Sequence, residues 1–194
     1  MNRTATVTRT TKETSVEISV DLDGTGATDV DTGVGMYDHL LTAFAHHAMI
    51  DLTVRTSGDL HVDEHHTVED TALVLGSAID EALGDRSGIA RFASASVPMD
   101  EAIATCVVDA GGRPYAFLDL GFAGGRIGAL GTQMIPHALE SLIRTSRSTV
   151  HLTARGANDH HVAEAAFKSL GISLRCAATL DPRRDGIPST KGSL

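Results

Sequence analysis

The sequence predicts an α/β chain of two fused, similar halves, each an α+β two-layer sandwich in which a sheet is backed by two helices. Three observations lead there. The string Asp63-Glu64-His65-His66-Thr67-Val68-Glu69 returns 95 positions later as Asn158-Asp159-His160-His161-Val162-Ala163-Glu164. The segments around the two copies also match, Asp51-Leu52-Thr53-Val54-Arg55 with His151-Leu152-Thr153-Ala154-Arg155, and Asp38-His39-Leu40-Leu41 with Pro136-His137-Ala138-Leu139. Stretches of period two alternate with stretches of helical period in the same order in both halves. The boundary is placed between residues 1–92 and 93–194, and the two repeats form one compact unit.

The elements follow in chain order. Thr14 to Leu22 alternates, with Val16, Ile18, Val20 and Leu22 on one face, and meets a turn at Asp23-Gly24. A Gly33-Val34-Gly35 loop leads into a short helix over Met36 to His47, and Met49 to Thr56 reads as a strand. Leu73, Leu75, Ile79, Ala82 and Leu83 then line a longer helix that Gly84 stops. In the second half, Ile103 to Asp109 and Pro114 to Leu120 are expected to form a hairpin around Gly111-Gly112, followed by a helix over Ile135 to Arg144.

Composition narrows the function. A formal net charge of -9, no basic run and only 4% aromatic residues argue against nucleic acid or an anionic membrane as the main partner. Cys106 and Cys176 lack CxxC spacing and sit in apolar surroundings, which predicts two buried free thiols. The opening MNRTATVTRT has no signal-like apolar core and no stretch approaches a membrane span, so a cytoplasmic location is expected.

The repeated string carries the chemistry. With 10 His and 8 Glu in 194 residues, one HHxxE string is expected by chance only about 0.02 times per chain. If it opens a helix, adjacent residues diverge by about 100°, whereas residues three or four apart share a face. Glu69 can therefore join either His65 or His66, while the two imidazoles of each copy suit different ions. His39 and His137 occupy matching positions and join the set. Six His and two Glu, shared between two ions, leave open positions on a six-coordinate metal. Two other uses of such a set are a dinuclear metallohydrolase and a storage or structural metal protein. The HExxH string of zincins is absent, and the ExxH arrangement of di-iron bundles is reversed.

Seven motifs then go together: RTTKET (Arg9 to Thr14), DTGVGMYDHLLTAFAHH (Asp31 to His47), DEHHTVEDTA (Asp63 to Ala72), VPMDEA (Val97 to Ala102), GGRPY (Gly111 to Tyr115), NDHHVAEAAFK (Asn158 to Lys168) and STK (Ser189 to Lys191). With them the chain resembles the imidazole-glycerol-phosphate dehydratases, lyases of histidine biosynthesis, from Arg9 to Lys191. The resemblance implies a duplicated fold of the ribosomal-protein-S5-domain-2-like kind, two Mn2+ per active site, and a homo-oligomer of twenty-four subunits with sites where subunits meet. It implies the same eight metal ligands: His39, His65, His66, Glu69, His137, His160, His161 and Glu164.

The reaction so implied removes water from D-erythro-1-(imidazol-4-yl)glycerol 3-phosphate. Cations on both ring nitrogens would favour a metal-bound imidazolate, which expels the hydroxyl through a diazafulvene-like intermediate before a general base removes a carbon-bound proton. Glu13 is the first candidate for acid/base work and His47 the second; both are placed at the substrate, together with His39, His65, Glu69 and His160. Arg91, Arg113, Lys168, Ser189 and Lys191 match the phosphate side. The tail DPRRDGIPSTKGSL reads as flexible by composition, yet Ser189 to Lys191 are expected to order over the phosphate. Asp100 and Glu101 lie at a strand boundary with no assigned duty.

Overall fold

The structure is a computed structural model and describes residues 3–193. In the first half the chain runs β1 (Thr4–Thr10), β2 (Thr14–Asp21), β3 (Thr28–Asp31), α1 (Gly35–Ala48), β4 (Asp51–Gly58) and α2 (His65–Leu83). The second half repeats the order as β5 (Phe92–Met99), β6 (Ala102–Asp109), β7 (Tyr115–Leu120), α3 (Met134–Thr145), β10 (Thr149–Arg155) and α4 (Asp159–Ala178). A small ribbon, β8 (Arg126–Ile127) with β9 (Leu130–Gly131), is inserted before α3.

Strand order is β1-β2-β4-β3 in one sheet and β5-β6-β10-β7 in the other. In each, the first three strands are antiparallel and the last lies parallel to its neighbour. Identical order and direction in both halves is the tertiary counterpart of the repeated string. The matched Arg55 and Arg155 even make matching bonds, to Asp29 and Asp119 on the parallel edge strands.

Each sheet buries one face. Val16, Ile18, Val20, Leu52 and Val54 point inward from the first, and Ala104, Cys106, Val108, Val150, Leu152 and Ala154 from the second. The four helices fill the space between the sheets, and one continuous apolar core runs through both halves. Helix pairing is crosswise: α1 packs on α4 and α3 on α2, so each short helix lies against the long helix of the other half. Both crossings are close because each long helix carries a glycine where it meets its partner. A Cβ on Gly76 would lie 2.3 Å from the Leu142 carbonyl oxygen, and one on Gly171 would lie 2.5 Å from that of Phe44. Gly76 and Gly171 are themselves 95 positions apart.

Two expectations are corrected. β6 and β7 form no hairpin, because β10 inserts between them, antiparallel to β6 and parallel to β7. The Gly111-Gly112 turn therefore spans a gap one strand wide. Of the two thiols only Cys106 is buried, and that burial pushes it up to about 12, while Cys176 near the end of α4 is exposed. Helical periodicity around Cys176 places it on the solvent side, which an apolar neighbourhood in sequence does not reveal.

Candidate metal centres and substrate-binding residues

The repeated strings sit where two helices begin. An Asp63 carboxylate oxygen accepts from the His65 backbone N–H at 2.8 Å, and the Asn158 side chain accepts from that of His160 at 2.9 Å. Such local turns satisfy N–H groups that a helix start leaves unpaired. They put His65 and His160 in a first helical turn, with Glu69 and Glu164 one turn on and on the same face.

Crosswise packing then brings in the third member of each group. His39 on α1 meets the second string: its Nε2 lies 2.8 Å from Glu164 Oε1, and His160 Nε2 lies 2.9 Å from the same oxygen. His137 on α3 meets the first: its Nε2 is 3.4 Å from Glu69 Oε1, and His65 Nε2 is 3.6 Å from Glu69 Oε2. In each triad the potential ligand atoms lie within 4.8 Å of one another. The matched histidines have thus been exchanged, each short helix supplying the string of the opposite half.

Two imidazoles and a carboxylate suit a borderline or hard divalent cation and leave coordination positions open. The first triad carries a further sign of such a ligand. Among the described residues the buried His137 Nε2 has no hydrogen-bond partner, which costs free energy unless something else satisfies it. In the second triad, burial works to raise the Glu164 pKa, but hydrogen bonds from Lys168, His39 and His160 outweigh it and hold the carboxyl at about 2. Lys168 Nζ lies 2.5 Å from Glu164 Oε2, one helical turn along.

His66 and His161 stand apart from these groups. The His65 and His66 rings are 5.9 Å apart and nearly perpendicular, and His160 and His161 are 6.2 Å apart. His66 Nδ1 faces Asp59 Oδ2 at 3.0 Å, and its Nε2 looks toward Glu13 at 3.8 Å. His161 Nδ1 faces Glu101 Oε2 at 2.9 Å, and its Nε2 looks toward Asp100 at 4.0 Å. The hydrogen bond to Asp59 raises the His66 pKa, and that to Glu101 raises that of His161. Glu13 occupies the β1–β2 turn and Asp100 the β5–β6 turn, equivalent places in the two halves.

Comparison with known proteins bears on this arrangement. The family model for imidazoleglycerol-phosphate dehydratase matches residues 32–174. The chain belongs to that family. Dehydratases of that name from Acidiphilium cryptum (strain JF-5) and Methanococcoides burtonii are 53% and 50% identical, with 100% and 99% of this chain and all of theirs covered. The solved dehydratase from Staphylococcus aureus subsp. aureus N315 superposes with a TM-score of 0.83 at 31% identity, over 92% of this chain and 99% of that one. That from Pyrococcus furiosus gives 0.82 at 34%, over 97% and 100%.

The remaining residues expected to serve a dehydratase are divided between two regions. Lys168 and His47 lie by the second triad. Burial first, then the charge of Lys168, lowers the His47 pKa. Arg91, Arg113, Ser189 and Lys191 instead line an open cavity of about 830 Å³ at the other end of the second sheet. There Arg91 makes a two-pronged pair with Asp109, 2.7 and 3.0 Å, and donates to the Pro188 carbonyl at 2.8 Å, so the tail folds back over it.

The separation is large. The Arg91 backbone N–H bonds to the Ala177 carbonyl at the end of α4, whereas His160 is at its start. Seventeen residues of helix put roughly 25 Å between them. Sequence reasoning missed several residues that build the site: Asp59, the pair Arg9–Asp70, and the two glycines. Thr14 and Arg9 bond Asp70 on α2 and so tie the turn bearing Glu13 to the helix bearing Glu69. The equal spacing of Gly76 and Gly171 was a readable signal; the others had none.

Proposed function

We propose that this chain dehydrates D-erythro-1-(imidazol-4-yl)glycerol 3-phosphate to 3-(imidazol-4-yl)-2-oxopropyl phosphate in histidine biosynthesis, in the cytoplasm, using two Mn2+ ions per active site. The observation that carries this reading is the pair of matching His/His/Glu triads, each short of a full ligand set, on a chain of this family. His39, His160 and Glu164 would hold one ion and His65, Glu69 and His137 the other. When bound, such ions supply Lewis-acid contacts to the substrate's imidazole ring and lower the cost of removing its proton.

The chain's own residues do the rest. Glu13, exposed at its turn beside His66, would take and return protons at the substrate's carbon chain. His47, whose pKa burial lowers, would be a second proton acceptor. Arg91, Arg113, Ser189 and Lys191 offer cations and N–H or O–H donors for the phosphate.

No six-carbon substrate reaches from the second triad to that cavity within one chain, given the roughly 25 Å between them. The reading therefore places the site between copies, one giving metal ligands and another the phosphate cavity, in a homo-oligomer of twenty-four subunits. His66 and His161, whose rings stand nearly perpendicular to those of His65 and His160, would complete the metal shells of neighbours. The test is a product assay. Protein loaded with Mn2+ should form the ketone from imidazole-glycerol phosphate, chelator should abolish it, and re-addition should restore it; a chelator-resistant rate at the full level would overturn the metal role.

A further inference from the structure

The second histidine of each repeated string is held in the same way by unrelated residues. His66 Nδ1 is met by Asp59, 3.0 and 3.2 Å to its two oxygens, from the segment just after β4. His161 Nδ1 is met at 2.9 Å by Glu101, which lies in the β5–β6 turn 60 residues upstream. These carboxylates are not duplicates of one another. Nine residues separate Arg55 from His65, but only four separate the matched Arg155 from His160, so the second half has no room for a counterpart of Asp59. Conversely, the β1–β2 turn presents Glu13 toward Nε2 of His66, not toward Nδ1. Duplication would have copied one carboxylate into both halves. Two different ones reach the same ring nitrogen, which ties the contact to what the histidine must do.

A neutral imidazole keeps its proton on one nitrogen, chosen by the partner of that nitrogen. A carboxylate at Nδ1 selects the Nδ1–H form, fixes the ring plane, and leaves the Nε2 lone pair pointing away. Among the described residues neither Nε2 has a partner in hydrogen-bond range, since Glu13 and Asp100 stop at 3.8 and 4.0 Å.

We infer that Asp59 and Glu101 are positioning residues that hold His66 and His161 as Nδ1–H tautomers with Nε2 presented to a divalent cation. The inference rests on the metal-centre reading above and adds to it the groups that set the last ligand of each ion. It also assigns Glu101 a duty. Glu101 accepts through Oε1 from the backbone N–H of Asn158 at 2.8 Å and of Ala157 at 3.2 Å, so it pins the start of α4 while orienting His161.

The experiment uses the full-length protein stripped with chelator and titrated with Mn2+ in a calorimeter, with selectively 15N-histidine-labelled samples studied by solid-state NMR. Asp59→Ala and Glu101→Ala should each weaken Mn2+ binding about 10- to 100-fold, and the 15N signature of the affected histidine should lose its Nδ1–H form. Glu101→Gln keeps an oxygen for the Ala157 and Asn158 N–H groups, which separates tautomer control from loop collapse. It should retain the unfolding midpoint of the metal-free protein while still losing Mn2+ affinity. Asp59→Glu should recover part of what Asp59→Ala loses.

His66→Ala and His161→Ala distinguish the two levels of failure. If they weaken Mn2+ binding but Asp59→Ala and Glu101→Ala leave affinity and tautomer at the wild-type values, the positioning role is overturned and the metal centre stands. If the wild-type chain takes up no Mn2+, or the histidine variants bind it unchanged, the metal assignment of these histidines is overturned and the positioning role with it.

Discussion

At the scale of single residues, the division of labour among ten histidines depends on which nitrogen has a partner. His137 has a buried, unsatisfied Nε2, and His39 and His160 converge on one oxygen of Glu164. Removing one imidazole should therefore cost one ion. We expect His137→Ala to bind one Mn2+ per chain where the parent binds two, as measured by elemental analysis after dialysis; two retained ions would contradict the first triad. Glu13 contributes no ligand to either triad, so Glu13→Gln should keep both ions while kcat falls by at least about 100-fold. A variant with parental kcat would remove Glu13 from the reaction. The thiols give a simpler check on burial. A thiol reagent should modify Cys176 in the native protein and Cys106 only after unfolding, since a buried thiol held near 12 is neither ionised nor reachable.

At the scale of elements, the crosswise helix pairs make the site, and the two glycines permit the pairs. Gly→Ala within a helix usually stabilises by up to about 1 kcal/mol. Here the sign should reverse, because the added methyl meets backbone at both crossings. Gly76→Ala and Gly171→Ala should each destabilise by about 1–3 kcal/mol, measured by chemical denaturation. Gly171→Ala should also weaken Mn2+ binding, because it pushes α1 and His39 away from His160 and Glu164. A gain in stability would mean the helices do not approach so closely. The same scale explains the missed hairpin. Gly111-Gly112 is a good turn, yet β10 has two open edges to satisfy and takes the place between β6 and β7. Local turn chemistry does not say whether a third strand will intervene.

At the scale of the whole molecule, one chain holds both His/His/Glu triads and the cavity lined by Arg91, Arg113 and Lys191, with the second triad and that cavity at opposite ends of α4. A composite site makes two predictions. Deletion after Pro188 should raise KM sharply with Mn2+ content unchanged, and an unchanged KM would reject a phosphate role for the tail. Mixed assemblies are more decisive. Arg113→Ala and His160→Ala, each inactive alone, should regain activity when dissociated and reassembled together, since one supplies intact metal ligands and the other an intact cavity. Failure to complement, with mixed assembly verified by mass, would place the whole site in one chain.

The duplication, the alternating strands and the eight His and Glu ligand candidates were legible in the sequence because each is a local property, a residue type at a spacing or a period of two or 3.6. The strings at 65–69 and 160–164 even dictated that their paired imidazoles diverge, since neighbours on a helix cannot face one point. Tertiary structure alone decided that His39 joins the second string and His137 the first, that Asp59 and Glu101 stand behind His66 and His161, and that the cavity lined by Arg91, Arg113 and Lys191 lies a helix length from the second string. These follow from packing one half against the other. The contacts span 125 residues for His39 and Glu164, and no local pattern in a chain records which distant surface will meet it.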